Sequence, residues 1–475
     1  MKLLRLLFLF FVPMACIAAN TTYQTVLTEM KNGNFKFAEE MIDFEVKTNL
    51  QLTATDKQAL LDQKEIMRRI RLDFSRTEAD VMSYVKRYYP KVTPAMFINW
   101  ETANTLEYKI IDGEKRYFNQ AAPNLFRLDT AAKRQKEIVD GIVPDKKAIL
   151  LQKHIPDIIK TTSHNNVCMG NPQKMTVTYT LTVKPDQVPD GKTIRCWLPY
   201  PRTDVARQKN VKLFSVSQNN YQIAPNSCAH KTIYMEQKAT KGKPAKFQIV
   251  FSYECYPEFH NLEHQTIAPL TDTLLISDFL KERKPHIVFS DAIKQLSAQI
   301  VGTETNPYQK AKKIFTWIRA NYPWASAREY STIPNIPEYV IANRRGDCGQ
   351  VSLLLITLCR YNGIPARWQS GFMMHPGSKN LHDWAEIYLQ NIGWVAVDVS
   401  FGVQTWAKDP SERYFYLGGQ DAYRWIINTD FGQPLSPAKQ FMRSETVDFQ
   451  RGEVEWEGGN LYFNQWNYTF NIAYK

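Results

Sequence analysis

The spacing of apolar residues divides the chain into stretches of different period. Over 23–50, 55–72 and 77–88 they recur every three to four positions, which predicts helices, the last stopped at Pro90. Ser75 with Glu78 resembles a capping box opening the third helix. The runs 106–111 and 115–118 flank Asp112-Gly113, a pair suited to a type I′ hairpin turn. Helical spacing returns over 131–154, and the polar run 161–166 reads as a linker. Beyond it, 174–183, 193–198 and 247–256 read as strands of a sandwich-like domain.

The next region carries both periods. An apolar run (Val351, Leu353, Leu354, Leu355, Ile356, Leu358) starts just after Cys348 and stops before Asn362-Gly363, as a buried helix ended by glycine would. His382, Trp384, Glu386 and Tyr388 then alternate with Ala385, Ile387 and Leu389. A turn at 390–393 leads into a second strand rich in β-branched residues, 394–399. If Tyr388 opposes Trp394, Trp384 opposes Asp398, and His382 lies diagonal to Asp398 on one face. A register shifted by two sets His382 directly opposite Asp398, whereas a slip of one would split the pair between faces. At the end of the chain Tyr462, Trp466, Tyr468, Phe470, Ile472 and Tyr474 alternate with polar residues, predicting a strand joined through Gly458-Gly459 to 453–456. Its aromatic row is expected to pack against the core rather than to bind sugar or peptide.

At 475 residues, 44% hydrophobic and 13% aromatic, the chain is folded material of two to four domains. Met1-Lys2-Leu3-Leu4-Arg5, an apolar run over 6–12 and the small residues around Ala15-Cys16-Ile17-Ala18-Ala19 form a secretory leader, so export is expected. Lipid attachment through Cys16 ranks below soluble export, because Pro13 and Met14 fit a lipoprotein cleavage box poorly. No later apolar run reaches the length of a membrane span. The net charge is +12, and 170–258 holds 13 Lys and Arg against 6 Asp and Glu. Without a binding motif or arginine-rich segment this excess does not indicate nucleic acid. A solvated basic face is the commoner cause, and anionic envelope polymers are the alternative. Cys168, Cys196, Cys228 and Cys255 fall in the β-rich region, as two bridges or as four buried thiols.

The candidate chemistry lies in Cys348, His382 and Asp398. Free N–H groups and the dipole at a helix N-terminus favour a thiolate, so position alone predicts a lowered thiol pKa at Cys348. Taken singly, a buried Cys or a strand His is more often a packing residue. Taken together, in this order and on these elements, the three point to a thiolate–imidazole nucleophile with a carboxylate behind it.

Gly346-x-Cys348, the helix ending at Tyr361-Asn362-Gly363-Ile364-Pro365-Ala366-Arg367, His382-x-Trp384-x-Glu386 and Trp394-x-x-x-Asp398 resemble the core of the transglutaminase-like superfamily, over about 285–402. The resemblance implies a papain-like core, with a Cys helix packed on an antiparallel sheet that carries His and Asp. It implies Cys348 as nucleophile, His382 as base and Asp398 as the group orienting it. Trp324 is the candidate for the tryptophan that helps hold the oxyanion in animal transglutaminases, and Gly349 and Trp384 are candidate site-lining residues. Neither calcium nor any other cofactor is implied.

The expected architecture is α+β: leader 1–19, helical region 20–165, sandwich-like domain 166–275, catalytic domain 276–405 and β-rich extension 406–475. The expected activity is amide hydrolysis or acyl transfer through a Cys348 thioester, on a peptide, protein or peptidoglycan-like substrate. An inactive binding or scaffold protein of the cell envelope is the alternative. His260-Asn261-Leu262-Glu263-His264 matches the H-x-x-E-H pattern of a class of zinc peptidases, but its context between a strand and Pro269 predicts no helix, so no metal site is assigned. Asp421 and Arg424 are further candidates for the border of the cleft.

Overall fold

A computed structural model of the chain describes residues 14–165, 167–265, 267–271 and 276–475, with the side chains of 14–20 and of His264 outside it. The basic and apolar parts of the expected leader, and the Cys16 side chain, therefore lie outside the described residues. The chain forms two compact units, Met1–Asp140 and Gly141–Lys475.

The first unit is mainly helical around a core that includes Phe35, Ile42, Met67, Val85 and Leu125. The long helix expected over 23–50 is broken at Gly33 into Met14–Asn32 and Phe35–Thr48. Gly33 has φ +87°, and a Cβ there would overlap the Ile110 carbonyl. The capping box belongs to Thr77 and Asp80 rather than to Ser75 and Glu78, because helix Glu78–Lys86 starts later than the motif implied. Asp112 and Gly113 both have positive φ, at 51° and 84°, as a type I′ turn requires.

Helix Lys146–Asn165 of the second unit takes in 161–165 of the stretch read as a linker, whose last residue lies outside the described ones. Thr162 there donates its hydroxyl to the Ile158 carbonyl at 2.9 Å, so a residue typical of loops is satisfied inside a helix. Two antiparallel sheets follow. One runs in the order Trp466–Tyr474, Gln173–Val183, Ala245–Cys255, Gln208–Val216. In the other, Glu453–Trp456 pairs with Thr193–Pro199, which pairs with Thr232–Lys238. The C-terminal strands thus complete both sheets. The aromatic row is held to the sandwich by its backbone and meets a third sheet through Phe470, whose ring centroid is 4.9 Å from that of Phe372 on strand Ala366–His375.

The site rests on a third antiparallel sheet, ordered Gly393–Val397, Ser378–Leu389, Ala366–His375, Arg424–Asn428. Helix Cys348–Tyr361 packs on one face of it, and the two share a core of Leu354, Leu358, Trp368, Ala385, Ile387 and Val397. Phe372, Met374, Trp425 and Ile427 join the sandwich core instead. The fold is α+β. Cys168, Cys196, Cys228 and Cys255 are unpaired thiols, two of them buried. Among the described residues no helix is long and apolar enough to cross a membrane.

Candidate active site

Cys348 opens its helix. Asp347 is the N-cap: its carboxylate accepts from Gln350 N at 3.1 Å, and the Gln350 side chain accepts from Asp347 N at 3.2 Å. Gly363, at φ +77°, lies beyond the other end. Residues from Gly349 to Arg360 are all buried, so the helix is fixed on every side and the sulfur has a defined position. Its electrostatics depart from the expectation drawn from the helix dipole. Burial, followed by Asp383 and Asp347, pushes the thiol well above its ordinary pKa. Sγ donates to Asp383 Oδ2 at 3.3 Å. Asp347 is itself raised by burial to about 6, although the Tyr330 hydroxyl donates to it at 2.6 Å. Burial, with the neighbouring acids adding to it, outweighs a partial charge on the helix axis.

The strand pair adopts the expected register, with Tyr388 opposite Trp394 and Ala385 opposite Val397. Asp398 stands one residue past that ladder, on the His382 side. His382 Nε2 is 2.6 Å from Asp398 Oδ2, and Phe401 N donates to the other carboxylate oxygen at 3.0 Å. Nδ1 of His382 makes no hydrogen bond among the described residues. The imidazole lies between Trp384, stacked at 5.8 Å, and Phe401, tilted at 4.9 Å. Burial lowers its pKa against the pull of Asp398. Burial alone would raise the Asp398 carboxyl, but His382 and Arg424 overcome it and hold it below its ordinary value. Behind Asp398 lies Arg424, and behind Arg424 lies Asp421, with Nη1 3.1 Å from Asp398 and Nη2 2.8 Å from Asp421. His375 Nε2 stands 3.1 Å from Asp421 on the far side. Asp398, Arg424 and Asp421 are fully buried.

A cleft of about 520 Å³ opens over these groups. Cys348, His382, Asp383 and Trp324 line it; Trp324 is 43% exposed and its backbone bridges to Gly346. Three expectations need correction. Trp384 is fully buried, donates Nε1 to Gln369 Oε1 at 2.8 Å and backs His382 instead of lining the cleft. Gly349 lies beneath Cys348, packed under Tyr330, Asp383 and Trp368. Asp421 and Arg424 form the wall behind Asp398, not the border of the cleft.

The residues that went unnoticed surround the sulfur. Asp383 faces the Cys348 helix, on the same side of its strand as Ala385 and Ile387, and a charge on that otherwise apolar face was a signal in the sequence. Gln450, far away in sequence, spends its amide group on Asp383 Oδ1, the His382 carbonyl and the Gly371 carbonyl at 2.7, 3.0 and 2.8 Å. Arg451 ties the walls together, with two bonds to Glu329 and one to Glu445. The 260–264 segment forms a 3-10 turn, Leu262–His264, not a helix. Its Glu263 is engaged by Lys312 and Tyr308, and His260 by Glu258.

Residues 294–399 match the family profile of the Transglutaminase-like superfamily. An uncharacterized protein of Haemophilus influenzae is 24% identical over 257 residues, covering 47% of this chain and 68% of that one. The uncharacterized protein YebA of Bacillus subtilis is 24% identical over 131 residues, or 24% of this chain and 18% of YebA. Among solved structures, a candidate cysteine protease from Cytophaga hutchinsonii aligns with a TM-score of 0.43 and 18% identity, over 64% of this chain and 92% of its own. The periplasmic domain of TgpA from Pseudomonas aeruginosa aligns with a TM-score of 0.28 and 12% identity, over 58% of this chain and 96% of its own.

Proposed function

Proceeding from a transglutaminase-like core at residues 294–399, we propose that the protein is an exported cysteine hydrolase or acyltransferase acting on an amide in peptide, protein or peptidoglycan-like material. The observation that carries this reading is the His382–Asp398 pair at 2.6 Å, opening onto the cleft that holds Cys348. With Nε2 engaged by Asp398, the ring keeps Nδ1 for the thiol proton. Transfer of that proton leaves a thiolate that attacks the acyl carbonyl, forming a C–S bond. The Cys348 N–H, in the first helical turn where no intrahelical acceptor exists, would serve the oxyanion. His382 then protonates the leaving amine as the C–N bond breaks. Water or an amine resolves the thioester, giving its proton to His382. Asp398, kept ionised by Arg424, stabilises the imidazolium in both half-reactions. Export rests on the leader-like first residues.

One observation favours a second reading, a non-catalytic binding module. The thiol is held protonated, and its hydrogen bond goes to Asp383. Incubation with peptides and peptidoglycan fragments, followed by mass spectrometry with and without an added amine, separates the two. An enzyme gives cleaved or amine-linked product and a trapped acyl adduct on Cys348, all lost in Cys348→Ala. A binding module shows ligand affinity that survives Cys348→Ala and forms no adduct. The amine arm also identifies the acceptor.

A further inference from the structure

Asp383 touches the sulfur, yet the triad chemistry makes no use of it. Its Oδ2 accepts from Cys348 Sγ at 3.3 Å, its Oδ1 accepts from Gln450 at 2.7 Å, and it is 3% exposed. Its other neighbour is a second buried acid, Asp448, which lines the same cleft and is bonded to Ser370, the residue paired with Asp383 on the adjacent strand. Oδ1 of Asp448 already accepts from Ser370 Oγ, Asn428 Nδ2 and its neighbour Phe449 N, at 2.6, 2.9 and 2.7 Å. Oδ2 of Asp448 is buried and meets no N–H or O–H donor. Two carboxylates in one buried site do not both ionise, and a single proton between them supplies the donor that Asp448 Oδ2 lacks. Three donors stabilise charge on Asp448, so the negative charge settles there and Asp383 is the neutral partner.

We propose that Asp383 is a further catalytic residue, kept neutral by Asp448, and that this acid pair controls whether the Cys348 thiolate can form. A neutral Asp383 beside Sγ leaves the thiolate free of a like charge while His382 takes the thiol proton. If Asp383 loses its own proton, a carboxylate stands 3.3 Å from the sulfur and holds it as the thiol. Burial and then Asp448 drive Asp383 well above the ordinary carboxyl range, in keeping with this assignment. The other charged or titratable groups near the sulfur sit differently. Asp347 is bonded to Tyr330 and caps the helix, and His382 is paired with Asp398. Glu329 and Glu445 are both paired with Arg451.

The inference concerns the same sulfur as the proposed function, but its test reads thiol ionisation and needs no substrate. The rate of iodoacetamide alkylation at Cys348 is measured against pH in the full chain, with Cys348→Ala as the blank for the other thiols. In Asp448→Asn the amide donates to Asp383 and stabilises its carboxylate. Alkylation at neutral pH is then expected to slow by about tenfold or more, the effect of a one-unit rise in thiol pKa. Asp383→Asn mimics the neutral acid and cannot ionise, so its rate continues to climb at alkaline pH, where the wild type levels off. A structural role alone would move both variants the same way. Equal slowing in the two variants, or an Asp448→Asn protein as reactive as wild type, overturns the proposal. Infrared spectra give a check that does not depend on alkylation. Wild type at neutral pH shows the band of an un-ionised carboxylic acid that Asp383→Asn removes, and the absence of that band from wild type rejects the assignment.

Discussion

Arg424 Nη1 lies 3.1 Å from Asp398 Oδ2 with neither side chain exposed, so the carboxylate that orients His382 is neutralised by a cation sealed in the same layer. The cation is shared with Asp421, 2.8 Å from Nη2. Cation and anions hold one another in place: burial works against the charge on each, and each is stabilised by the others. Removing Arg424 takes away the cation that two buried carboxylates share.

Arg424→Gln is therefore expected to cost about 3–5 kcal/mol of unfolding free energy, the range for breaking a buried ion pair from one side. Arg424→Lys keeps the charge but reaches two carboxylates poorly, so a smaller loss is expected. Urea denaturation of the three proteins measures both. A loss below about 1 kcal/mol in the Gln variant would mean that water or local rearrangement replaces the arginine.

Two other buried groups set opposing pH dependences. Burial, with Arg283 adding to it, pushes His286 from 6.5 down to about 4, so the folded protein resists its protonation. That contribution to stability is present above pH 6.5 and lost as pH falls toward 4. Asp347 is raised from 3.8 to about 6, so its contribution is present below 3.8 and lost as pH rises through 6. Each is worth about 3 kcal/mol across its window, with opposite sign. Relative to wild type, His286→Asn should gain stability as pH falls from 6.5 to 4, and Asp347→Asn should gain it as pH rises from 4 to 6. Denaturation curves at several pH values decide this; variant curves running parallel to wild type would show that neither group titrates as its burial implies.

How much of this was legible in the sequence depended on whether a feature was local. The Cys348 helix, its glycine stop and the register that sets His382 and Asp398 on one face follow from periodicity and turn spacing over fewer than sixty residues. Arg424, Gln450 and Asp448 are brought to the site by chain reversals that periodicity does not encode. The thiol shows the same divide. A helix N-terminus is readable from local pattern and favours a thiolate, whereas the carboxyl of Asp383 reaches the sulfur only once two elements have packed. Asp383 was the exception that could have been read, since every second residue from Ala385 onward is apolar and faces the helix. The aromatic strand was recognised as a strand, but its partner, Gln173–Val183, lies some three hundred residues earlier.

Gly349 tests how tightly the sulfur is seated. A Cβ there would overlap the Tyr330 hydroxyl and stand 2.6 Å from Asp383 Oδ2 and 2.9 Å from the Trp368 ring. The hydroxyl cannot swing aside freely, because it donates to the Asp347 cap at 2.6 Å. Gly349→Ala is therefore expected to destabilise by about 1–3 kcal/mol through overpacking, and to disturb Cys348, which precedes it. Tyr330→Phe removes the nearest obstacle at the cost of one hydrogen bond to Asp347. The double variant should accordingly lose less than the sum of the two single variants, a favourable coupling of about 0.5 kcal/mol or more. Chemical denaturation of the four proteins in the cycle measures that coupling. Strict additivity would mean that the helix shifts to admit the methyl group, and that the sulfur has more freedom than its packed surroundings indicate.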